Sequence, residues 1–404
     1  MAGENTASTL SALLKEVYAD SLTSLIPEGV RLLKEVKFSA GDKELGDKYV
    51  QPVCLTHEHG FTCDSGAFAL NAAINASYAE AQVEGKNLVL RTVVSYDAAA
   101  KASSSKKAFM KWSEQVVGNM TSSFTKRLEV LHFYGGTSLG VVSSIAASVI
   151  TITTATFASG IWAGSEGAVL SSYTALTGGT THDTSLTIVS VDPANRQITV
   201  SGDSTTAAND YLFYKGFRGT EMNGIDKLVT NTGNLYNISA TTYNLWAGNS
   251  YSAGSGALTF GKIQSAIALA VAKGLDEKVS VFVSIPTWAN LNTDISALRK
   301  LDNSYKTSKA ENGSESISFY GANGEIEIVP SIYVKEGEAF CVPLARLKRI
   351  GSSDVTMRMP GMSDEQLVLQ RDGYAAYEMR LFYDGNLFAE RPGFLTKITN
   401  IVNS

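Results

Sequence analysis

The chain of 404 residues is poor in the side chains that most enzyme chemistry draws on, with four histidines and three cysteines, and it has only eight prolines. Three cysteines (Cys54, Cys63, Cys341) are an odd number and too few to build a disulfide framework, so they read as reduced thiols. No apolar run approaches the roughly 20 residues of a membrane span. Met1 to Thr9 is polar and carries Glu4 where a secretory leader would place basic residues. A protein made and folded in a cytoplasm, with no membrane partner, is expected. An excess of positive charge is missing too: the formal net charge is -5 and Lys and Arg are scattered, which argues against a surface built to grip phosphates. What is abundant is apolar surface, at 44% of residues, enough for more than one core and for two or three subdomains.

The most organised stretch runs from about Ala98 to Tyr134. Phe109, Trp112, Val116, Met120, Phe124, Leu128 and Leu131 recur every three or four residues, the spacing of one helix face. Ala98, Ala99, Ala100 and Ala102 supply helix propensity before the stripe, and Gly135-Gly136 supplies a stop where glycine best tolerates the left-handed C-cap. At about 1.5 Å per residue the helix would span roughly 40 to 50 Å. A helix that long usually forms the backbone of an elongated subunit or a coiled coil, and the stripe ends too soon for a long coiled coil.

Before it, Leu10, Leu13, Leu14, Val17, Leu22 and Leu25 predict a short amphipathic helix closed by Pro27. Two extended runs, Lys48 to Thr62 and Glu80 to Tyr96, flank a small-residue stretch from Ser65 to Ser77 and read as a long two-stranded excursion. Such a ribbon is marginally stable alone and needs another surface to lie on. After the glycines, residues 141 to 215 turn to Ser, Thr, Val, Ile and Ala. Strand-like runs appear at Ser148 to Thr156, Gly167 to Tyr173, Ser185 to Val191, Gln197 to Ser201 and Tyr211 to Lys215, with a turn at Asp192-Pro193-Ala194-Asn195. Five short strands at this spacing predict a small inserted barrel or sandwich. An α/β section follows: Thr259 caps a helix bearing Phe260, Ile263, Ile267 and Val271, Gly274 stops it, Val279 to Ile285 is a buried strand, and Trp288 to Leu301 is a second helix. The end is strand-rich: Ser316 to Tyr320, Glu325 to Val334, Ala339 to Leu344, Val355 to Met359, Gln366 to Gln370, and a final hairpin in which Tyr374 to Tyr383 and Leu387 to Arg391 flank Asp384-Gly385-Asn386.

Each motif that could carry chemistry has a plainer reading. Gly136-Thr137-Ser138-Leu139-Gly140 matches the G-x-S-x-G nucleophile elbow, but it follows a helix and precedes strands, the reverse of the elbow's context. Gly256 to Lys262 nearly spells a phosphate loop, yet Ile263 stands where a hydroxyl would hold magnesium. Cys54, His57, His59 and Cys63 are zinc-ligand types, but in an extended strand Cys54 points away from the other three. Polar residues on an exposed ribbon is the reading preferred. His132 falls in the last turn of the long helix and His182 in a turn, neither with an acid-base partner. No catalytic, cofactor-binding or metal-binding residue is therefore assigned, no cofactor is expected, and the chain is read as a non-enzyme.

The order of these elements resembles the major capsid (coat) protein of tailed double-stranded DNA bacteriophages (Caudoviricetes), the Hong Kong 97-type fold. The likeness extends over nearly the whole chain. Its more particular parts are Glu221-Met222-Asn223-Gly224-Ile225-Asp226 through Trp246, which looks like the entry to an axial domain, and the closing stretch Tyr377-Glu378-Met379-Arg380-Leu381-Phe382-Tyr383-Asp384-Gly385. The resemblance implies an α+β fold with an N-terminal arm at 1–46, an extended β-ribbon loop at 47–96, the spine helix of a peripheral domain at 97–136, and an inserted β-rich domain at 137–220. An axial domain at 221–312 and C-terminal strands at 313–404 that return to the axial and peripheral domains complete it.

The resemblance also implies a function: a virion protein that self-assembles from hexamers and pentamers into an icosahedral shell around double-stranded DNA, which it encloses without sequence-specific binding. Assembly in the bacterial host cytoplasm is implied, with portal and scaffolding proteins and a decoration protein as partners besides other copies of the chain. The extended loop, with His57, Glu58, His59 and Phe61, would lie over a neighbouring subunit, and Gly135 and Gly136 would form a hinge that lets one sequence fit two environments. Some such coats form a Lys to Asn isopeptide crosslink. Lys48 or Lys86 could supply the lysine, but no partner Asn is marked and the crosslink is not carried over. An encapsulin-like nanocompartment shell protein and another virion structural (tail) protein are the alternatives.

Overall fold

Alternation of apolar side chains along short strands, with helices laid on the resulting faces, builds most of this molecule. The computed structural model describes residues 31–36, 38–43, 48–97, 112–202, 204–299, 317–357, 369–370 and 374–403. The helix expected between Leu10 and Leu25, and the alanine-rich lead into the long helix, lie outside these residues. Among the described residues the long helix runs Trp112–Tyr134. The chain divides into two units, one of Pro27–Val89, Thr125–Thr356 and Phe382–Ser404, the other of Met1–Ile26, Leu90–Phe124 and Met357–Leu381.

In the larger unit a six-stranded sheet has the order Asn249–Gly256, Thr396–Ile401, Ala339–Val342, Val279–Val283, Gly324–Pro330, Ile317–Gly321. Its central strand Val279–Val283 is buried at every position, because both faces are covered. Val279, Val281 and Val283 share a core with Ile263 and Ile267 of the helix Phe260–Val271. Phe282 points the other way, and its ring meets that of Phe133, near the end of the long helix, edge-on at 5.5 Å. Burial of each such side chain contributes about 1.5–3 kcal/mol. The Thr259 hydroxyl caps the helix by accepting the Lys262 N–H at 3.4 Å, and Gly274, with φ +97°, follows its end. The next helix is Ile285–Arg299, starting before the expected Trp288. Pro286 does not block it, since a proline in the first turn loses no helical hydrogen bond, and the Ser284 hydroxyl accepts the Thr287 N–H.

Ahead of these elements in the chain comes a closed barrel in the order Tyr211–Tyr214, Gly140–Ala146, Val149–Ile152, Gln197–Val200, Thr181–Asp192, Val169–Tyr173. Inward positions alternate as a pleat requires: Ile150 with Ile152 and Ile198 with Val200 are buried, and Thr151 and Thr199 between them are only half-buried. Tyr211 pairs with Val141 on one side and Tyr173 on the other, which closes the ring and leaves no strand edge. Gly140–Ala146 is a sixth strand beyond the five that the sequence suggested. The turn at 192–195 is held by Asp192, whose Oδ1 accepts from the amides of Ala194 (3.0 Å) and Asn195 (3.2 Å).

The hairpin expected at Asp384-Gly385-Asn386 does not form. One continuous strand, Ala376–Ala389, runs through it. In the larger unit its second half pairs antiparallel with Leu347–Thr356, with Ile350 opposite Asn386 and Ser353 opposite Asp384. A Cβ on Gly351 would lie 2.2 Å from the Asp384 carbonyl oxygen and 2.5 Å from Gly385 Cα, so these glycines permit close backbone approach and do not turn the chain. In the smaller unit Leu369–Gln370 pairs with Glu378 and Tyr377, and the Tyr96 N–H donates to Ala375 O at 3.0 Å.

Candidate assembly surface

The second expected run of the ribbon, Glu80 to Tyr96, is two strands. Tyr78–Val83 pairs antiparallel with Tyr49–Cys54 from Tyr49↔Val83 to Cys54↔Tyr78, while Lys86–Ser95 belongs to the sheet of Ala376–Ala389. The break falls at Glu84-Gly85, where a Cβ on Gly85 would sit 2.3 Å from an Asp384 carboxylate oxygen. Period-2 alternation sets the ribbon's two faces. Tyr49, Gln51, Val53, Ala81 and Val83 are buried or half-buried, and Val50, Cys54, Tyr78 and Glu80 are exposed.

The base of the ribbon is fixed to the body of the larger unit. Gln82 N–H donates to Tyr236 O at 3.1 Å, and the Tyr49 and Tyr236 rings both pack on Phe388, at 5.8 and 5.3 Å. Asn386 ties three segments, its Nδ2 donating to Glu84 O at 2.9 Å and its Oδ1 accepting the Asn223 N–H at 2.8 Å.

Beyond Cys54 the chain leaves this support. Residues 55–77 hold together by a few local bonds: Leu55 N–H to Ser77 O (2.8 Å), the reciprocal His59 and Ile74 amide pair (2.9 and 2.8 Å), and Asn71, whose N–H reaches Thr62 Oγ1 and whose Nδ2 reaches Phe61 O, both at 2.8 Å. Leu55 is buried at the base, and no core covers the large side chains beyond it. Phe61 is 85% exposed and Leu70 80%, with Ile74 and Tyr78 also open. The loop residues named from the sequence, His57, Glu58, His59 and Phe61, are all exposed on it. Leu70 and Ile74 escaped that reading because their small-residue neighbours made Ser65 to Ser77 look like a plain connection. Cys54, His57, His59 and Cys63 do not converge, and among the described residues no three His, Cys, Asp or Glu side chains form a metal site.

At the far end of the long helix, polar side chains are buried for structural reasons. Glu129, fully buried, accepts the backbone N–H groups of Arg31 (3.1 Å) and Leu32 (2.9 Å) on Oε1 and of Leu33 (2.8 Å) on Oε2. Burial pushes its carboxyl up to about 7, against the pull of those three donors. His132 Nδ1 donates to Leu128 O at 2.6 Å, and burial, reinforced by the charge of Arg349, holds the imidazole down to about 3. Lys335 Nζ lies 3.9 Å above the Tyr134 ring and donates to Ser138 O at 2.8 Å. Ser138 is thus a buried turn residue whose carbonyl is in use, not a presented nucleophile. The lysine of the phosphate-loop look-alike, Lys262, turns back onto Ala253 O (2.8 Å) and Ala257 O (2.7 Å) and caps its own loop.

Gly135 and Gly136 differ. Gly136 has φ +78°. Gly135 meets the 222–224 segment at a tight crossing, where an added Cβ would lie 2.2 Å from Met222 O and 2.6 Å from Leu131 O.

No protein-family model and no curated protein matches this sequence. Solved structures do match in fold, over essentially the full length. The cyanophage A-1(L) capsid asymmetric unit superposes with a TM-score of 0.59 at 12% identity, covering 98% of this chain and 99% of that one. The capsid of the native GTA particle gives 0.54 at 7% identity, covering 99% and 100%. A chain of Mycobacterium phage Bobi gives 0.50 at 12% identity, covering all of both. The molecule therefore has the mixed α+β fold of phage capsid proteins. At these identities the likeness is one of fold, and the loop and helix-end geometry above must carry the rest. Among the described residues no helix is long and apolar enough to cross a membrane.

Proposed function

We propose that this chain is the major capsid protein of a tailed double-stranded DNA bacteriophage, of Hong Kong 97 type, and that it builds a closed icosahedral shell from hexamers and pentamers. The observation that carries this reading is the fold match to the cyanophage A-1(L) capsid over 98% of this chain and 99% of that one. The loop at 55–77 supports it physically: a Phe at 85% exposure and a Leu at 80% on a segment without a core are side chains awaiting a second surface. In this reading residues 47–96 are the extended loop that crosses a neighbouring subunit, the long helix through 136 is the peripheral spine, the barrel is an insertion, and 221–312 with the C-terminal strands form the axial and peripheral domains.

Head-to-tail contacts between identical chains close into rings and then into shells. The net charge of -5 suits a wall that encloses DNA without holding it, since retained phosphates would oppose packing and release. Portal, scaffolding and decoration proteins are the further partners of this reading, and the virion is its place. The shell is a structure, not a catalyst. Electron microscopy of the full-length chain, expressed alone and with its neighbouring virion genes, tests the reading: closed particles support it, and isolated monomers in both cases refute it.

A further inference from the structure

At the base of the extended loop the larger unit has an open cleft of about 650 Å³. Leu55, Trp246 and Phe394 line it and are buried, Leu245 is 41% exposed beside them, and Cys54, Lys273 and Arg391 reach it from the rim. The rim is positive where it is free. Lys273 Nζ is committed to Ala247 O at 2.6 Å and the Glu390 carboxylate of the same cleft is taken up by Arg346 and Lys348, whereas Arg391 is exposed and stacks on the Phe394 ring at 5.3 Å.

The loop tip has the complementary character. Phe61 stands out at 85% exposure, and Glu58 and Asp64 flank it, both exposed. Within one chain Phe61 does not fill the cleft: it is 85% exposed and the His59–Ile74 bridge keeps the loop extended, although His57 of the same loop lines the cleft wall. Resting on the shell reading, we propose that the loop tip of one copy, led by Phe61, seats in the cleft at the loop base of the next copy, with Glu58 set against Arg391. Tip and base are different surfaces, so each copy gives one contact and receives another, the arrangement that propagates around a ring. Phe61 supplies the buried aromatic anchor, and the Glu58 to Arg391 pair fixes the direction of docking.

Two native thiols make the test direct, since Cys54 lines the cleft and Cys63 lies two residues from Phe61, both exposed. Assembled particles treated with a short bismaleimide should give a ladder of linked chains on a denaturing gel. The ladder should vanish in Cys54→Ser and in Cys63→Ser particles. Particles that form but yield only single chains, or a ladder that survives loss of Cys54, overturn the proposal while leaving the shell reading intact. A charge exchange checks the pairing: Glu58→Arg and Arg391→Glu should each lower particle yield about tenfold or more, and the double variant should recover most of it, with unchanged subunit circular dichroism throughout. A double variant no better than either single one sinks the pairing. A wild-type chain that never assembles brings down the shell reading and this inference together.

Discussion

The Gly224 amide donates to the Gly135 carbonyl at 2.8 Å, and neither glycine has room for a side chain: a Cβ on Gly224 would lie 2.6 Å from Leu131 O and 2.6 Å from Gly135 N. This crossing locks the end of the long helix to the start of residues 221–246. Gly135→Ala or Gly224→Ala forces backbone apart and should cost about 1–3 kcal/mol or more. Gly136→Ala should cost about 1 kcal/mol, because φ +78° is strained for alanine but the nearest obstacle, Lys227 Cγ at 3.3 Å, can move. Urea midpoints of the unassembled subunit rank the three. A hinge at Gly135-Gly136 requires this crossing to open, so amide exchange at Gly224 that is equally slow in free subunits and in shells would count against it.

Glu129 should prove to be the anchor of the chain's first described residues. Removing its carboxylate by Glu129→Ala leaves three amide donors without their acceptor, which costs about 1–3 kcal/mol for each one that stays buried. The expected readout is faster hydrogen exchange at residues 31–33 and trypsin cleavage after Arg31, with the barrel's exchange unchanged. Protection at 31–33 that persists in the variant would contradict the role.

The folded subunit should be acid-labile through His132. Its folded pKa of about 3 lies below the ordinary unfolded value of about 6.5. The stability it contributes is complete above pH 6.5 and is lost as pH falls toward 3, because the unfolded chain takes up a proton that the folded one refuses. One group gives a slope of up to about 1.4 kcal/mol per pH unit. His132→Gln should flatten the fall in urea midpoint between pH 6.5 and 4; an unchanged slope would show that the imidazole titrates freely in the fold.

Glu221 should act in the opposite sense. Burial raises its carboxyl to about 8, so the folded state holds a proton that the unfolded state has released, and stability declines as pH rises from about 4.5 to 8. Glu221→Gln keeps an acceptor for the Gly136 N–H and removes the charge. The variant should match wild type at pH 4 and exceed it at pH 8 in urea midpoint. A variant less stable than wild type at pH 8 would mean that the carboxylate is paired.

Elements made by local chemistry could be read from the sequence. Thr259 and Gly274 bracket their helix because a hydroxyl cap and a left-handed glycine need only neighbouring atoms, and Val279 to Val283 announced itself as a buried run. Tertiary bonds decided the failures. Asp384-Gly385-Asn386 has the composition of a turn, but Asn386 spends its amide on Glu84 and Asn223, Asp384 accepts the Ser352 hydroxyl, and Gly385 leaves room for the Tyr383 ring of its own strand. Leu347–Thr356 was legible only at its last two residues, since its Lys, Arg, Gly and Ser lack alternation until a partner strand supplies it. Of the candidate assembly surface, Phe61 was legible as a large apolar residue on a ribbon. Arg391 was not, because only the fold brings it from the far end of the chain to the cleft at Cys54.

Assembly into a shell, the function proposed above, is tested most directly by sedimentation velocity of the purified full-length chain, with electron micrographs of each fraction. A fast-sedimenting population of closed, uniform particles is expected, lost when Phe61 is replaced by Asp while the subunit stays folded. A single slow species with the mass of one chain at every salt concentration, alone and with the other virion proteins, would contradict it.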